Sequence, residues 1–101
     1  MNITFDPERN EIDTLLEFAG DLGGKRVLEI GAGYGRLTWR YAQYAREVVG
    51  IDPNPERIAR AQDDIPKNLR DRVTILETTL EEYQLDGQVI PFDVALMSWA
   101  L

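Results

Sequence analysis

Cysteine and histidine are both absent from the 101-residue sequence. Without them the chain lacks the usual zinc ligands, the usual thiol nucleophile and the most frequent general base, and it has no disulfide to form. We therefore expect no metal site. The sequence assigns no catalytic residue, and any chemistry is expected to come from a bound cofactor.

Long apolar runs and an excess of basic residues are absent as well. No run approaches the roughly 20 residues of a membrane helix, and the first residues lack the basic flank and apolar core of a secretory signal. We expect a cytoplasmic protein with no membrane partner. The net charge of −7, from 11 Lys and Arg against 18 Asp and Glu, repels polyanions and gives no indication of a nucleic-acid partner.

Short apolar segments alternate with helix signals along the chain, which has the length of one domain, residues 1–101. Helix starts of the cap, proline and acid type are predicted at Asp6-Pro7-Glu8 and Asn54-Pro55-Glu56. One face of a further predicted helix carries Leu37, Tyr41, Ala42 and Ala45. The helix after Asn54 is expected to end at Pro66. Further along the chain, a short helical segment is predicted at Leu80–Leu85 and a turn at Asp86-Gly87. Four strands are predicted, at Arg26–Ile30, Val48–Asp52, Val73–Leu76 and Phe92–Met97.

This alternation predicts an α/β fold with three layers, a parallel sheet covered by helices on both faces. Numbered along the chain, the strands are expected in the spatial order 3-2-1-4. Ligands bind such sheets at the carboxyl ends of the strands, where the order reverses between strands 1 and 4.

Two features meet at that crevice. Gly31, Gly33 and Gly35 follow the first strand, where glycine permits a sharp turn and close approach of a ligand. Asp52 ends the second strand, where a carboxylate can accept both hydroxyl hydrogens of a ribose. The structural alternative for the glycines is a plain turn, and for Asp52 it is a solvated strand end. The combination of glycines and acid alone suits NAD as well as S-adenosylmethionine.

The spacing G-x-G-x-G, preceded by an acid within the strand, differs from the G-x-G-x-x-G of dinucleotide folds, which makes NAD the less favoured ligand. Val27–Gly35 resembles the first motif of class I S-adenosylmethionine-dependent methyltransferases. Val48–Asn54 resembles the second motif, and Phe92–Leu101 the strand 4 motif. The resemblance implies the amino-terminal, cofactor-binding half of a Rossmann-like methyltransferase, truncated after strand 4.

The resemblance also implies roles for single residues. Glu29 helps to hold the methionine ammonium, with a structural pairing to Arg or Lys as the alternative. The glycine loop, Gly31, Ala32, Gly33 and Gly35, lies against the methionine part and ribose. Asp52 binds the ribose hydroxyls, and Pro53 lines the adenine.

The remaining implied contacts come from the third and fourth strands. Thr79 stands where the family often has an acid that binds the adenine amino group, and Leu80 supplies the next backbone N–H. Thr79 is otherwise a simple turn residue, and Glu77 or Glu81 is the alternative source of the missing carboxylate. Met97 and Ser98 present backbone carbonyls to the methionine amine and sulfonium. Tyr34, Arg36 and Trp99 either face ligand or only pack.

The fourth strand would form an apolar, unpaired edge if the chain ended the sheet there. We therefore expect either a fragment of a longer enzyme or pairing with another chain, with a homodimer through strand 4 as the specific form. The Asp/Asn-Pro-Pro-Tyr signature of amino-methylases is absent, so nothing points to a nucleobase nitrogen as the acceptor of the methyl group. We expect a small-molecule acceptor, with another, unassigned acceptor as the alternative. The alternative function is a noncatalytic S-adenosylmethionine-binding or assembly module that acts with a partner.

Overall fold

The computed structural model describes residues 2–5, 22–85 and 92–98, and only the backbone of residues 2–5, 84 and 85. The helix predicted to begin at Asp6-Pro7-Glu8, the turn at Asp86-Gly87, Trp99 and Leu101 lie outside the described residues. Among the helices described, none has the length and apolar composition needed to cross a membrane.

In the described part of the chain, the centre of the fold is a sheet of five parallel strands. The strands are β1 (Asn2–Phe5), β2 (Arg26–Ile30), β3 (Glu47–Asp52), β4 (Val73–Glu77) and β5 (Val94–Ser98). Their spatial order is β1-β5-β2-β3-β4. Strands β2 to β5 are the four predicted strands, and the order β4-β3-β2-β5 confirms the predicted 3-2-1-4.

Strand β1 was not predicted from the sequence. It pairs in parallel with β5, with Asn2 opposite Ala95 and Phe5 opposite Ser98, while β2 pairs with the other side of β5. The expectation of a free edge at the fourth strand is therefore wrong. The homodimer predicted through that edge loses its basis, because backbone groups already paired within the chain are not available to a second copy.

Apolar side chains alternate between the two faces of the sheet. Val27, Val48 and Val94 lie in one core with Tyr41, Ile58 and Ala61, whereas Leu28, Val49 and Ile51 lie in a second core with Tyr83. Because a strand presents successive side chains to opposite faces, each face buries its own set against helices. The three-layer prediction is confirmed.

Three α-helices flank the sheet in the described residues: α1 (Thr38–Tyr41), α2 (Pro55–Asp64) and α3 (Leu80–Leu85). The start of α2 is as predicted, with the Asn54 side chain accepting a hydrogen bond from the Arg57 N–H at 3.1 Å. Helix α2 ends just before Ile65-Pro66, where proline excludes a further turn.

The helix after the glycine loop is shorter than the sequence pattern predicted. Helix α1 covers one turn and continues as a 3₁₀ helix, Ala42–Tyr44, before the backbone becomes extended at Ala45. The Arg72 guanidinium donates to the carbonyls of Gln43 (3.0 Å) and Ala45 (3.2 Å). These long-range contacts satisfy carbonyls at the end of the segment and let the chain turn into β3.

Candidate cofactor-binding site

The carboxyl ends of β2, β3, β4 and β5 meet at one edge of the sheet. Ile30 stands opposite both Ile51 and Met97, and Asp52 stands opposite Glu77. This register brings together the loop after β2, the end of β3, the start of α3 and the end of β5. Apart from Glu29, which lies inside β2, the residues predicted to bind the cofactor lie in these segments or directly beside them: Gly31, Ala32, Gly33, Gly35, Asp52, Pro53, Thr79, Leu80, Met97 and Ser98.

The glycine loop is tied to β3 by its own backbone. The N–H groups of Gly31 and Ala32 both donate to the Ile51 carbonyl, at 2.9 and 3.1 Å. Gly31, Gly33 and Gly35 have positive φ angles of 79°, 57° and 83°. Residues other than glycine rarely adopt such angles. The glycine spacing therefore reflects a backbone requirement of this loop.

Close packing fixes the loop from both sides. A Cβ atom on Gly31 would lie 2.6 Å from the Ser98 carbonyl oxygen, and one on Gly50 would lie 3.0 Å from the Ala32 Cβ. Gly50, in the middle of β3, was not singled out from the sequence. A glycine within an otherwise apolar strand is the signal that could have indicated close approach of another segment.

Asp52 joins the end of β3 to the glycine loop. Its Oδ2 accepts the Gly33 N–H at 3.1 Å and its Oδ1 accepts the Asn54 N–H at 2.9 Å, while Arg57 Nη1 lies 3.9 Å from Oδ2. The carboxylate is buried, with 4% of its surface exposed. Each oxygen keeps a lone pair, so the carboxylate can accept two hydroxyl groups of a vicinal diol.

Glu29 lies deeper than the other predicted site residues and is fully buried. Its Oε1 accepts hydrogen bonds from Thr38 Oγ1 at 2.7 Å and from the Tyr41 hydroxyl at 2.5 Å, and its Oε2 lies 2.7 Å from Ser98 Oγ. Burial raises the pKa of Glu29, although the hydrogen bonds from Tyr41, Thr38 and Ser98 act in the opposite direction.

The sequence reasoning missed Thr38 and Tyr41 as partners of Glu29. Their spacing of three residues in a helical segment places them on one face, and a threonine facing the core needs a polar partner. The alternative pairing of Glu29 with Arg or Lys is not what the structure shows. Its role toward a ligand ammonium stays a prediction.

The residues expected near adenine have mixed surroundings. Thr79 Oγ1 accepts the Glu82 N–H at 3.2 Å and so caps the start of α3, which gives the turn-residue alternative a contact. Leu80 is partly buried in the second core. Pro53 and, at the end of β5, Met97 are exposed. A contact of these residues with adenine or methionine stays a prediction.

A family model described as methyltransferase domain matches residues 27–101. An uncharacterised methyltransferase of Mycobacterium tuberculosis is 32% identical over 96 residues, covering 95% of this chain and 35% of the relative. These relatives match nearly the whole of this chain, and the chain spans about a third of their length.

Solved methyltransferase structures share the fold. The O-methyltransferase of Bacillus cereus in complex with SAH has a TM-score of 0.74 at 24% identity, covering 89% of this chain and 44% of that one. Magnesium protoporphyrin IX methyltransferase of Synechocystis with bound SAM has a TM-score of 0.67 at 22% identity, covering 89% and 43%. The family model covers most of the sheet and the glycine loop. The chain therefore belongs to the class I methyltransferases, a family whose cofactor is S-adenosylmethionine.

Proposed function

We propose that residues 1–101 form one domain, the S-adenosylmethionine-binding part of a cytoplasmic methyltransferase whose acceptor is a small molecule. The observation that carries this proposal is the link between Asp52 and the glycine loop. The buried carboxylate stands at the end of β3, is held by two backbone N–H groups, and retains acceptor capacity on both oxygens.

The donor set fits the cofactor. Asp52 would take the ribose hydroxyls, and the backbone of Gly31, Ala32 and Gly33 would lie along the ribose and methionine. Thr79 and Leu80 would take the adenine edge, Pro53 would line the adenine, and Met97 and Ser98 would face the methionine amine and sulfonium. When bound, S-adenosylmethionine supplies an activated methyl group on a positively charged sulfur.

The chain's own contribution to methyl transfer is position. Asp52 and the backbone-tied loop fix the ribose and the adjoining chain of the cofactor, so that a nucleophile can approach in line. Orientation of this kind accounts for several kcal/mol of a barrier, about 7–11 kcal/mol in the best intramolecular cases. A histidine base is not required for this contribution.

The charge of the chain supports a small-molecule acceptor. A net charge of −7 repels nucleic acid, and the chain lacks the Asp/Asn-Pro-Pro-Tyr signature of enzymes that methylate amino groups of bases. The noncatalytic alternative, a binding or assembly module, has less support, because the relatives over this region are named as methyltransferases.

The proposal is tested by calorimetry on the 101-residue chain with S-adenosylmethionine, S-adenosylhomocysteine and NAD. We expect both adenosyl ligands to bind more tightly than NAD. Asp52→Ala should weaken their binding by about 1.5–3 kcal/mol, the range for hydrogen bonds to a charged group. Asp63→Ala, which removes an exposed carboxylate from α2, is the matched control and should bind as the parent does.

Two results would contradict the proposal. Equal or tighter binding of NAD would remove S-adenosylmethionine as the ligand. Unchanged affinity in a folded Asp52→Ala chain, with folding checked by circular dichroism, would remove Asp52 from the site.

A further inference from the structure

Three hydroxyl groups surround the Glu29 carboxyl group. Two of them, from Thr38 and Tyr41 of α1, converge on Oε1. The third, from Ser98 at the end of β5, lies against Oε2. Oε1 therefore accepts two hydrogen bonds, whereas Oε2 has one hydroxyl partner.

The Ser98 hydroxyl has one proton but lies within hydrogen-bonding distance of two oxygens. Its Oγ is 2.7 Å from Glu29 Oε2 and 2.9 Å from the Gly31 carbonyl oxygen. If Glu29 is ionised, Ser98 donates to Oε2 and the Gly31 carbonyl faces a lone pair. If Oε2 carries a proton, Glu29 donates to Ser98 and Ser98 donates to Gly31, so all three oxygens are satisfied.

We propose that Glu29 is a neutral carboxylic acid in the ligand-free chain, with its proton shared with Ser98, and that binding of a cationic ligand at the loop releases this proton. Ser98 is thereby a positioning residue, since it acts on the ligand through the Gly31 carbonyl. The ligand-dependent half of the proposal rests on the proposed function, and the ligand-free half does not.

Burial of Glu29 among groups that carry no charge favours the neutral form and outweighs the opposite effect of the three hydroxyl groups. On the sheet, its neighbours are Gly50 of β3 and Leu96 of β5, neither of which ionises. The titratable group that faces it from α1 is Tyr41, whose pKa is raised well above its ordinary value of 10.0 by burial and by the nearby Glu29. Tyr41 therefore keeps its own proton, and Glu29 is the group that can lose one. Burial also raises the pKa of Glu29, and a raised pKa favours the protonated, neutral carboxyl group.

A cation at the loop would reverse this balance. An ammonium group near Gly31 supplies the positive charge that stabilises ionised Glu29. The Oε2–H bond then breaks, the proton passes to solvent, and the Ser98 hydroxyl turns to donate to Oε2. The Gly31 carbonyl loses its donor and becomes free to accept a hydrogen bond from the ammonium. One proton leaves for each ligand bound.

The ligand-free half is tested by NMR titration of the chain labelled with ¹³C at the glutamate carboxyl carbons. The resonance absent from Glu29→Gln belongs to Glu29, and we expect it to titrate above 4.5, the ordinary value. Ser98→Ala, which removes the hydroxyl between the two oxygens, should shift this titration, whereas Glu56→Gln, an exposed change on α2, should not. A Glu29 resonance that titrates at its ordinary value would overturn the proposal.

The ligand-dependent half is tested by calorimetry with S-adenosylhomocysteine, which carries the ammonium, in two buffers of different ionisation enthalpy. At a pH below the measured Glu29 titration we expect release of close to one proton per ligand, no release from Glu29→Gln, and full release from Glu56→Gln. Binding without proton release in the parent chain would overturn the proposal. If no ligand binds, the proposed function fails, while the NMR titration still decides whether Glu29 is neutral.

Discussion

Gly31 is a loop residue at which backbone conformation and packing against another backbone segment both demand glycine. Its φ of 79° is costly for alanine, by about 1–2 kcal/mol, and its Cβ would meet the Ser98 carbonyl. Gly24 offers a matched control, because its φ of 72° is similar and nothing lies within 4 Å of its Cβ position.

We expect Gly24→Ala to lower the free energy of unfolding by the backbone cost alone. Gly31→Ala should lose a further ~1–3 kcal/mol, the range for overpacking against backbone that cannot move freely. Urea unfolding of both variants measures the difference. Equal losses would show that β5 yields to the added methyl group.

Glu29 is expected to make stability depend on pH. Its pKa is raised in the folded chain above the value near 4.5 of the unfolded chain, so over the intervening pH range the folded state holds a proton that the unfolded state has released. Folding stability due to this group is therefore fully present below about pH 4.5 and declines as pH rises towards the folded value.

This effect is isolated by subtracting the unfolding free energy of Glu29→Gln from that of the parent at each pH. The difference should fall by about 1.4 kcal/mol per pH unit at most and level off above the folded pKa. Denaturant unfolding from about pH 4 to about pH 8 provides the measurement. A difference that stays constant, or that grows with pH, would contradict a raised pKa.

Helix α2 protects the outer edge of the sheet at β4. The bonds from Val48 N–H to the Arg72 carbonyl and from Thr78 N–H to the Asp52 carbonyl show that even-numbered residues of β4 bond to β3. The Ile75 carbonyl therefore faces away from the sheet, where it would be open to another chain. The Gln62 side chain donates to it at 2.8 Å.

Gln62→Ala should remove this bond and lower the unfolding free energy by about 0.5–1.5 kcal/mol. Asp63→Ala on the same helix also introduces alanine, and the larger gain in helix propensity from Asp than from Gln is subtracted in the comparison. Thermal unfolding of the two variants is compared, and self-association is followed by light scattering. If Gln62→Ala is as stable as Asp63→Ala, the side chain does not protect the edge.

The elements that sequence predicted well are those with strong local signals. The strands β2 to β5 are continuous apolar runs, and α2 has a cap and a proline at its start, so their positions were found to within two residues. The length of α1 was missed because Arg72, distant in sequence, satisfies the carbonyls after it. Strand β1 was missed because four residues with polar Asn2 and Thr4 carry little pattern, and its pairing is non-local.

The site divides in the same way. Asp52 and the glycine loop were found from spacing, because Asp52 ends one predicted strand and the loop directly follows another. The hydroxyl groups around Glu29 depend on how α1 packs over β2 and on the register of β5. Neither the packing of α1 nor the register of β5 can be predicted from the local sequence. The hydrogen-bond partners of Glu29 could therefore be identified only from the structure.

The molecule as a whole depends on its first strand to complete the sheet beside β5. A chain lacking residues 1–5 should expose the backbone groups of β5 and the buried Val94 and Leu96 nearby. We expect it to associate, or to lose stability, at concentrations where the parent does neither. The control is a chain lacking Met1 alone, which keeps β1.

Size-exclusion chromatography with light scattering distinguishes the three chains by mass. Association confined to the chain without residues 1–5 is the expected result. If this chain has the mass and thermal stability of the parent, β1 does not protect the edge of β5 in solution.

The hydrogen bonds of the glycine loop also bear on the entropy of ligand binding. Gly31, Ala32 and Gly33 are three consecutive residues whose amides already have acceptors in Ile51 and Asp52. Their torsional freedom is lost when the chain folds and not when a ligand arrives. A ligand therefore meets a preorganised loop, and the free energy of its contacts is not offset by ordering that backbone. The unusual torsions of these glycines are a cost of folding that favours binding.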